Sequence, residues 1–162
     1  MNRPNPLAKS TDLEPIAAPP REYQELWFNI SRRPWRSIVF VPVDAGVSVA
    51  HVASAVADVA KWLREAPVSL LTMSDPLDYV AAEQLVGPVY PHDPATSGRA
   101  APNERVIIAV QAVTVEPLGL AVTRTSDAVV LCIVKRHSCL SSVRRTIDLI
   151  GRERIAGCIF IH

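Results

Sequence analysis

The feature that most constrains this chain is an alternation. Short β-branched apolar runs take turns with longer segments whose apolar residues step by three and four. An apolar run without polar alternation is the pattern of a strand buried on both faces. Residues 37–43 (SIVFVPV), 68–73 (VSLLTM), 105–115 (RVIIAVQAVTV), 127–134 (DAVVLCIV) and 156–161 (AGCIFI) hold such runs. After the first of them, Val49, Val52, Val56, Val59 and Leu63 form a helical stripe, and the alanines between them permit close approach to a sheet. Leu140, Val143, Ile147 and Ile150 mark another stripe, ended by Gly151 in the position that favours a glycine. Residues 75–85 suit a helix with Pro76 in its first turn, and residues 21–31 a short helix that carries Tyr23, Leu26, Trp27 and Ile30 and stops before Pro34. Strands separated by helices need crossovers, and crossovers give parallel pairing with helices on both faces. The expected class is therefore α/β, with a mostly parallel sheet of about five strands.

The rest of the sequence sets the limits of that domain. Five of its fourteen prolines precede residue 21, so residues 1–20 are expected to be an extended arm and residues 21–162 a single domain. Residues 87–103 carry four more prolines and suit a long surface loop. A formal net charge of +1 argues against binding nucleic acid or anionic lipid by bulk electrostatics. No apolar run approaches the ~18 residues of a membrane helix, and the first residues lack the apolar core of a secretion signal. Cys132, Cys139 and Cys158 are an odd set without metal-site spacing, as expected of reduced thiols in a cytoplasmic protein.

In an open α/β sheet, ligands bind beyond the carboxyl ends of the strands. The turn after the first strand, residues 42–49 (PVDAGVSV), is the place to look. A phosphate-binding P-loop needs glycines whose N–H groups wrap the phosphates, a lysine for the outer oxygens and a Ser or Thr for Mg²⁺. Gly46 and Ser48 occupy the places of the last glycine and the hydroxyl, but Val47 stands where the lysine belongs. The turn has the outline of a phosphate cradle without its charge.

Residues 21–63 together resemble the cytoplasmic domain of bacterial tyrosine kinases, which belong to the MinD/ParA-type P-loop ATPases and act in capsule and exopolysaccharide production. Tyr23, Leu26 and Asn29 match that family's E-A-Y-R-x-L-R-x-N helix. Residues 127–134 and 141–159 are similar to its D-A-V-L-L-V-V and G-V-V-L-N ending. The resemblance spans nearly all of residues 21–161 and implies a P-loop NTPase-like fold. The departures fall on the chemistry. Val47 replaces the Walker A lysine, Gln111 and its neighbours replace the Walker B acid, and Asp75 sits in an unmatched context as the one candidate for the second acidic motif. The oligomerisation motif Glu-x-x-Arg-x-x-Arg falls on Arg21, Gln24 and Trp27, and the adenine-reading Asn on Ile161 or His162. That family's tyrosine-rich tail is not expected here, since the sequence as read stops at His162. The resemblance thus implies a pseudo-kinase without catalytic residues, cofactor or metal site. It would be a cytoplasmic accessory subunit of a polysaccharide synthesis or export complex, docking on a membrane-embedded synthase or co-polymerase, with a homo-oligomer also open. The alternatives are a nucleotide sensor that retains ATP or ADP with Mg²⁺ on Asp44, Gly46 and Ser48, and a MinD/ParA-like positioning adaptor.

Other residues carry paired readings. Asp44 and Ser48 suit a metal or nucleotide, or simply a turn aspartate and a helix N-cap. His51 has no identifiable catalytic partner, and His92 with Asp93 is too small a set for a metal. Cys132 and Cys158 are expected in the core, whereas Cys139, near Lys135, Arg136, His137 and a helix start, is the one thiol placed for a lowered pKa. Trp27 and Phe28 are candidates for a partner interface, with core packing the competing role for Trp27. Arg144 and Arg145 lie on the outer face of the last helix, a solvated face or a docking surface for an acidic partner.

Overall fold

A computed structural model describes residues 17–65, 67–86 and 104–162. Most of the expected arm and the loop at 87–103, with His92 and Asp93, lie outside the described residues. The element order is α1 (Arg21–Ile30), β1 (Ser37–Pro42), α2 (Ala50–Trp62), β2 (Val68–Thr72), α3 (Pro76–Val86), β3 (Arg105–Ala109), α4 (Leu118–Thr125), β4 (Ala128–Val134), α5 (Leu140–Ile150), a 3-10 turn and β5 (Ile155–Ile161). The five strands form one sheet in the order β2-β3-β1-β4-β5, and every pairing is parallel. The expected α/β class with a five-stranded parallel sheet is what the chain forms.

Alternate residues of each strand feed two cores, as the two-residue period of a strand demands. Ile38, Phe40, Ile107, Val130 and Cys132 meet α1 and α2 on one face. Val39, Val41, Ile108, Val129 and Leu131 meet α3, α4 and α5 on the other. All six residues of the central strand β1 are buried, which explains its unbroken apolar text. The alanines of α2 lie against the sheet as expected, with Ala53, Ala57 and Ala60 buried.

Four expectations need correction. β2 is an edge strand and only half-buried, with Leu70 exposed, because no strand covers its outer side among the described residues. The third strand ends at Ala109, and the eight residues 118–125 form a further helix, α4. Cys158 is exposed: it stands beside Leu131 on the edge strand β5, on the face opposite the one that α1 covers. Trp27 is fully buried in the first core, which removes it as an interface anchor. Its ring meets Trp35 edge-on at 5.7 Å, the Arg105 guanidinium lies over both rings, and its Nε1–H donates to Glu65 at 3.1 Å. The helical spacing of Trp27 with Leu26 and Ile30 already favoured the core.

Candidate functional site

The connection after β1 leads to α2 on one face, and the connection after β4 leads to α5 on the other. Adjacent strands whose connections part in this way open a crevice at their carboxyl ends, the usual ligand position of an open α/β sheet. Asp44 enters it from β1, and Ser138 and Cys139 enter it from β4. The Ser138 hydroxyl donates to Asp44 Oδ2 and accepts from the backbone N–H of Val134 at 2.9 Å. The backbone of Val43 also donates to Cys132 O at 3.1 Å. The carboxylate that would face a metal or phosphate is thus engaged by the chain itself. A lone serine after a strand has no sequence signature, and only the fold sets Ser138 opposite Asp44.

Gly46 lies at φ +74°, the left-handed conformation a glycine takes without strain, so the turn does keep a tight bend there. Ser48 is not the N-cap of α2. Val49 holds that place, and Ser48 Oγ only accepts a long 3.5 Å bond from Ala50 N–H. Beside the turn lies an open cleft of about 320 Å³ between the ends of β1, β2 and β3, bordered by Gly46, Ser48, Thr72, Ser74 and Gln111. No charged side chain lines it among the described residues. Val47 borders the cleft and also packs against the first core, so the position of a P-loop lysine is turned partly inward.

The remaining candidates separate. Asp75 Oδ1 accepts from Leu77 N–H at 2.7 Å, while Asp78 Oδ2 accepts from Ser74 and Asp75 N–H at 2.8 and 3.0 Å. Asp75 and Asp78 form a reciprocal cap on α3, and the two donated bonds hold the Asp78 carboxyl below its ordinary pKa. That cap was readable in D-P-L-D. His51 is exposed. Phe28, Arg144 and Arg145 are exposed on α1 and α5, and none of them lines the cleft beside the turn. Among the described residues, no three His, Cys, Asp or Glu side chains gather as metal ligands.

Cys139 is the exception to an otherwise quiet crevice. It is exposed at the N-cap of α5, and its Sγ lies 3.0 Å from Ser141 Oγ and 3.1 Å from Ser142 Oγ. These hydroxyls, joined by the Ser142 backbone N–H, stabilise the thiolate and bring the pKa down to about 7, with Asp44 opposing. Burial does the reverse to Cys132, whose thiol is pushed up to about 12.

The fold and crevice define a parallel α/β protein with a ligand-type topology, a switch point whose carboxylate is bonded by the chain itself, and a neighbouring cleft that no charged side chain lines among the described residues. No protein-family model matches the chain, and no curated protein matches it either. Among the described residues, no helix is long and apolar enough to cross a membrane.

Proposed function

We infer that this chain is a non-catalytic scaffold of pseudo-ATPase type that works through protein contacts. Its resemblance to the exopolysaccharide tyrosine kinases makes it an accessory or regulatory subunit of a bacterial polysaccharide synthesis or export complex. The observation that supports this reading most is the cleft beside the turn after β1, which no cation or carboxylate lines among the described residues. A triphosphate brings several negative charges, and transfer of its terminal phosphoryl group spreads further charge onto oxygens that need a cation. Asp44, the carboxylate of the turn itself, is held by Ser138 on the other side of β1. The exposed Phe28, Arg144 and Arg145 then belong to docking surfaces rather than to chemistry.

Thermal unfolding in the presence of ATP or ADP with Mg²⁺ tests this. A ligand at a hundred times its Kd adds about 2.7 kcal/mol, which raises the Tm by roughly 5–11 °C for a chain of this size. The expected shift is none, and a clear shift would instead establish the nucleotide-sensing alternative. Val47→Lys is expected to give no ATP hydrolysis, because the acidic partners are absent as well. Turnover by that variant would overturn the scaffold reading.

A further inference from the structure

The last strand, β5, is an edge. It is seven residues long, it pairs only with β4, and no described segment lies along its outer side. Soluble proteins blunt such edges with charges, prolines or very short strands, because free N–H and C=O groups recruit another strand. The text of β5, IAGCIFI, contains neither charge nor proline. Its one irregularity is a register shift at its start, opposite Val129 and Val130. One face is buried under α1, while Cys158 and Phe160 on the other are exposed, Phe160 at 53%. Among the described residues the edge is therefore open along its backbone, and it is apolar on one side.

Both ends of this edge are basic. At the amino end, a cavity of about 460 Å³ is bordered by the β5 residues Ala156, Gly157 and Cys158 and by Arg32, Arg33 and Arg154. Arg154 is fixed there by bonds from Nη1 to Thr123 O and Ser126 O at 3.1 and 3.2 Å. Arg32 and Arg33 pair with no carboxylate among the described residues. Asp127, also on the rim, is occupied by the backbone N–H groups of Arg36 and Ser37 at 2.7 and 2.9 Å. Glu153 is a second carboxylate there. Trp35 lines the same cavity, is 94% buried by its 6% exposure, and its indole N–H has no acceptor. At the carboxyl end, Lys135 bonds through its backbone to Ile161 O at 2.8 Å, and Arg136 follows it.

We propose that the β5 edge docks an extended protein segment with acidic residues at both ends and small or apolar residues between. This rests on the scaffold reading and names the partner's chemistry. The backbone of the segment continues the sheet, and its acidic ends meet Arg32 and Arg33 on one side and Lys135 and Arg136 on the other. The same charges disfavour a second copy of this chain. A two-fold contact pairs the strands antiparallel, which sets the arginines of one copy against Lys135 and Arg136 of its partner.

The test is fluorescence anisotropy with the intact protein and three labelled, end-blocked peptides: EEVTVTVEE, KKVTVTVKK and EEVPVPVEE. Proline cannot donate to a ladder, so the third keeps the charge and loses the strand. The first peptide is expected to bind at least about tenfold more tightly than either other. R32E/R33E, at two exposed positions, is expected to weaken it by about the same factor with an unchanged melting profile. Equal binding of all three peptides, or no effect of the double variant, overturns the proposal. So does a sedimentation dimer that Phe160→Asp dissociates, since that assigns the edge to a second copy. Nucleotide turnover would remove the scaffold reading whatever the peptides do, whereas failure of the peptides without nucleotide binding would remove this surface alone.

Discussion

Replacing Trp27 tests the amino-end core and its electrostatics at once. The side chain is fully buried, stacks edge-on with Trp35, lies under the Arg105 guanidinium at 5.5 Å and donates to Glu65. Glu65 also accepts from Arg105 Nη1 at 2.9 Å, so one carboxylate ties the indole to the cation above it. Trp27→Phe keeps a ring in the core but removes the N–H and part of the apolar area. The lost bond runs to a partly solvated carboxylate, and about 1–2 kcal/mol is the expected cost. Trp27→Ala adds a cavity, for about 3–5 kcal/mol, and removes the aromatic and cation contacts that overlap with that figure. Domains of this size hold only about 5–15 kcal/mol in all, so the alanine variant should be marginal. At roughly 2–4 °C per kcal/mol, the Phe variant should melt about 2–8 °C lower and the Ala variant about 6–20 °C lower. Urea and thermal unfolding followed by far-ultraviolet circular dichroism measure this without relying on the deleted fluorophore. A double-mutant cycle with Arg105→Met isolates the cation, with a coupling of about 0.5–2 kcal/mol expected. A loss under about 1 kcal/mol for Trp27→Ala would refute the core assignment and return this residue to the surface.

Three further outcomes follow from the geometry. Alkylation of Cys139 by iodoacetamide should rise through about pH 7 as the thiolate forms and level off above it, while Cys132 stays silent; S141A/S142A should move the midpoint upward, and mass spectrometry of the labelled sites checks both. Gly151→Ala should cost about 1–3 kcal/mol in chemical denaturation, because φ is +95°, a conformation that strains any residue with a Cβ, while the neighbouring Glu153 carboxylate can swing aside. Tyr79→Phe should cost a similar amount, roughly 1–3 kcal/mol, because the buried Tyr79 hydroxyl is the acceptor for Gln111 N–H at 3.0 Å. An unchanged urea midpoint in either of the last two variants would contradict its assigned role.

The sequence by itself determined the layers of this protein. Unbroken β-branched runs such as SIVFVP can satisfy their backbones and hide both faces only inside a parallel sheet, and the Val49 to Leu63 stripe has nowhere to bury but against it. Gly46 and Gly151, both at positive φ, were legible as turn residues for the same local reason. What lay beyond reach is whatever depends on strand order. That order alone sets Ser138 against Asp44, leaves β2 and β5 as the two edges, and exposes Cys158 in a run that looks as buried as its neighbours. α4 is not legible because its eight residues make little more than two turns, too few for an apolar stripe to repeat. Local periodicity reports which way a side chain faces, but only the tertiary arrangement decides whether anything stands opposite.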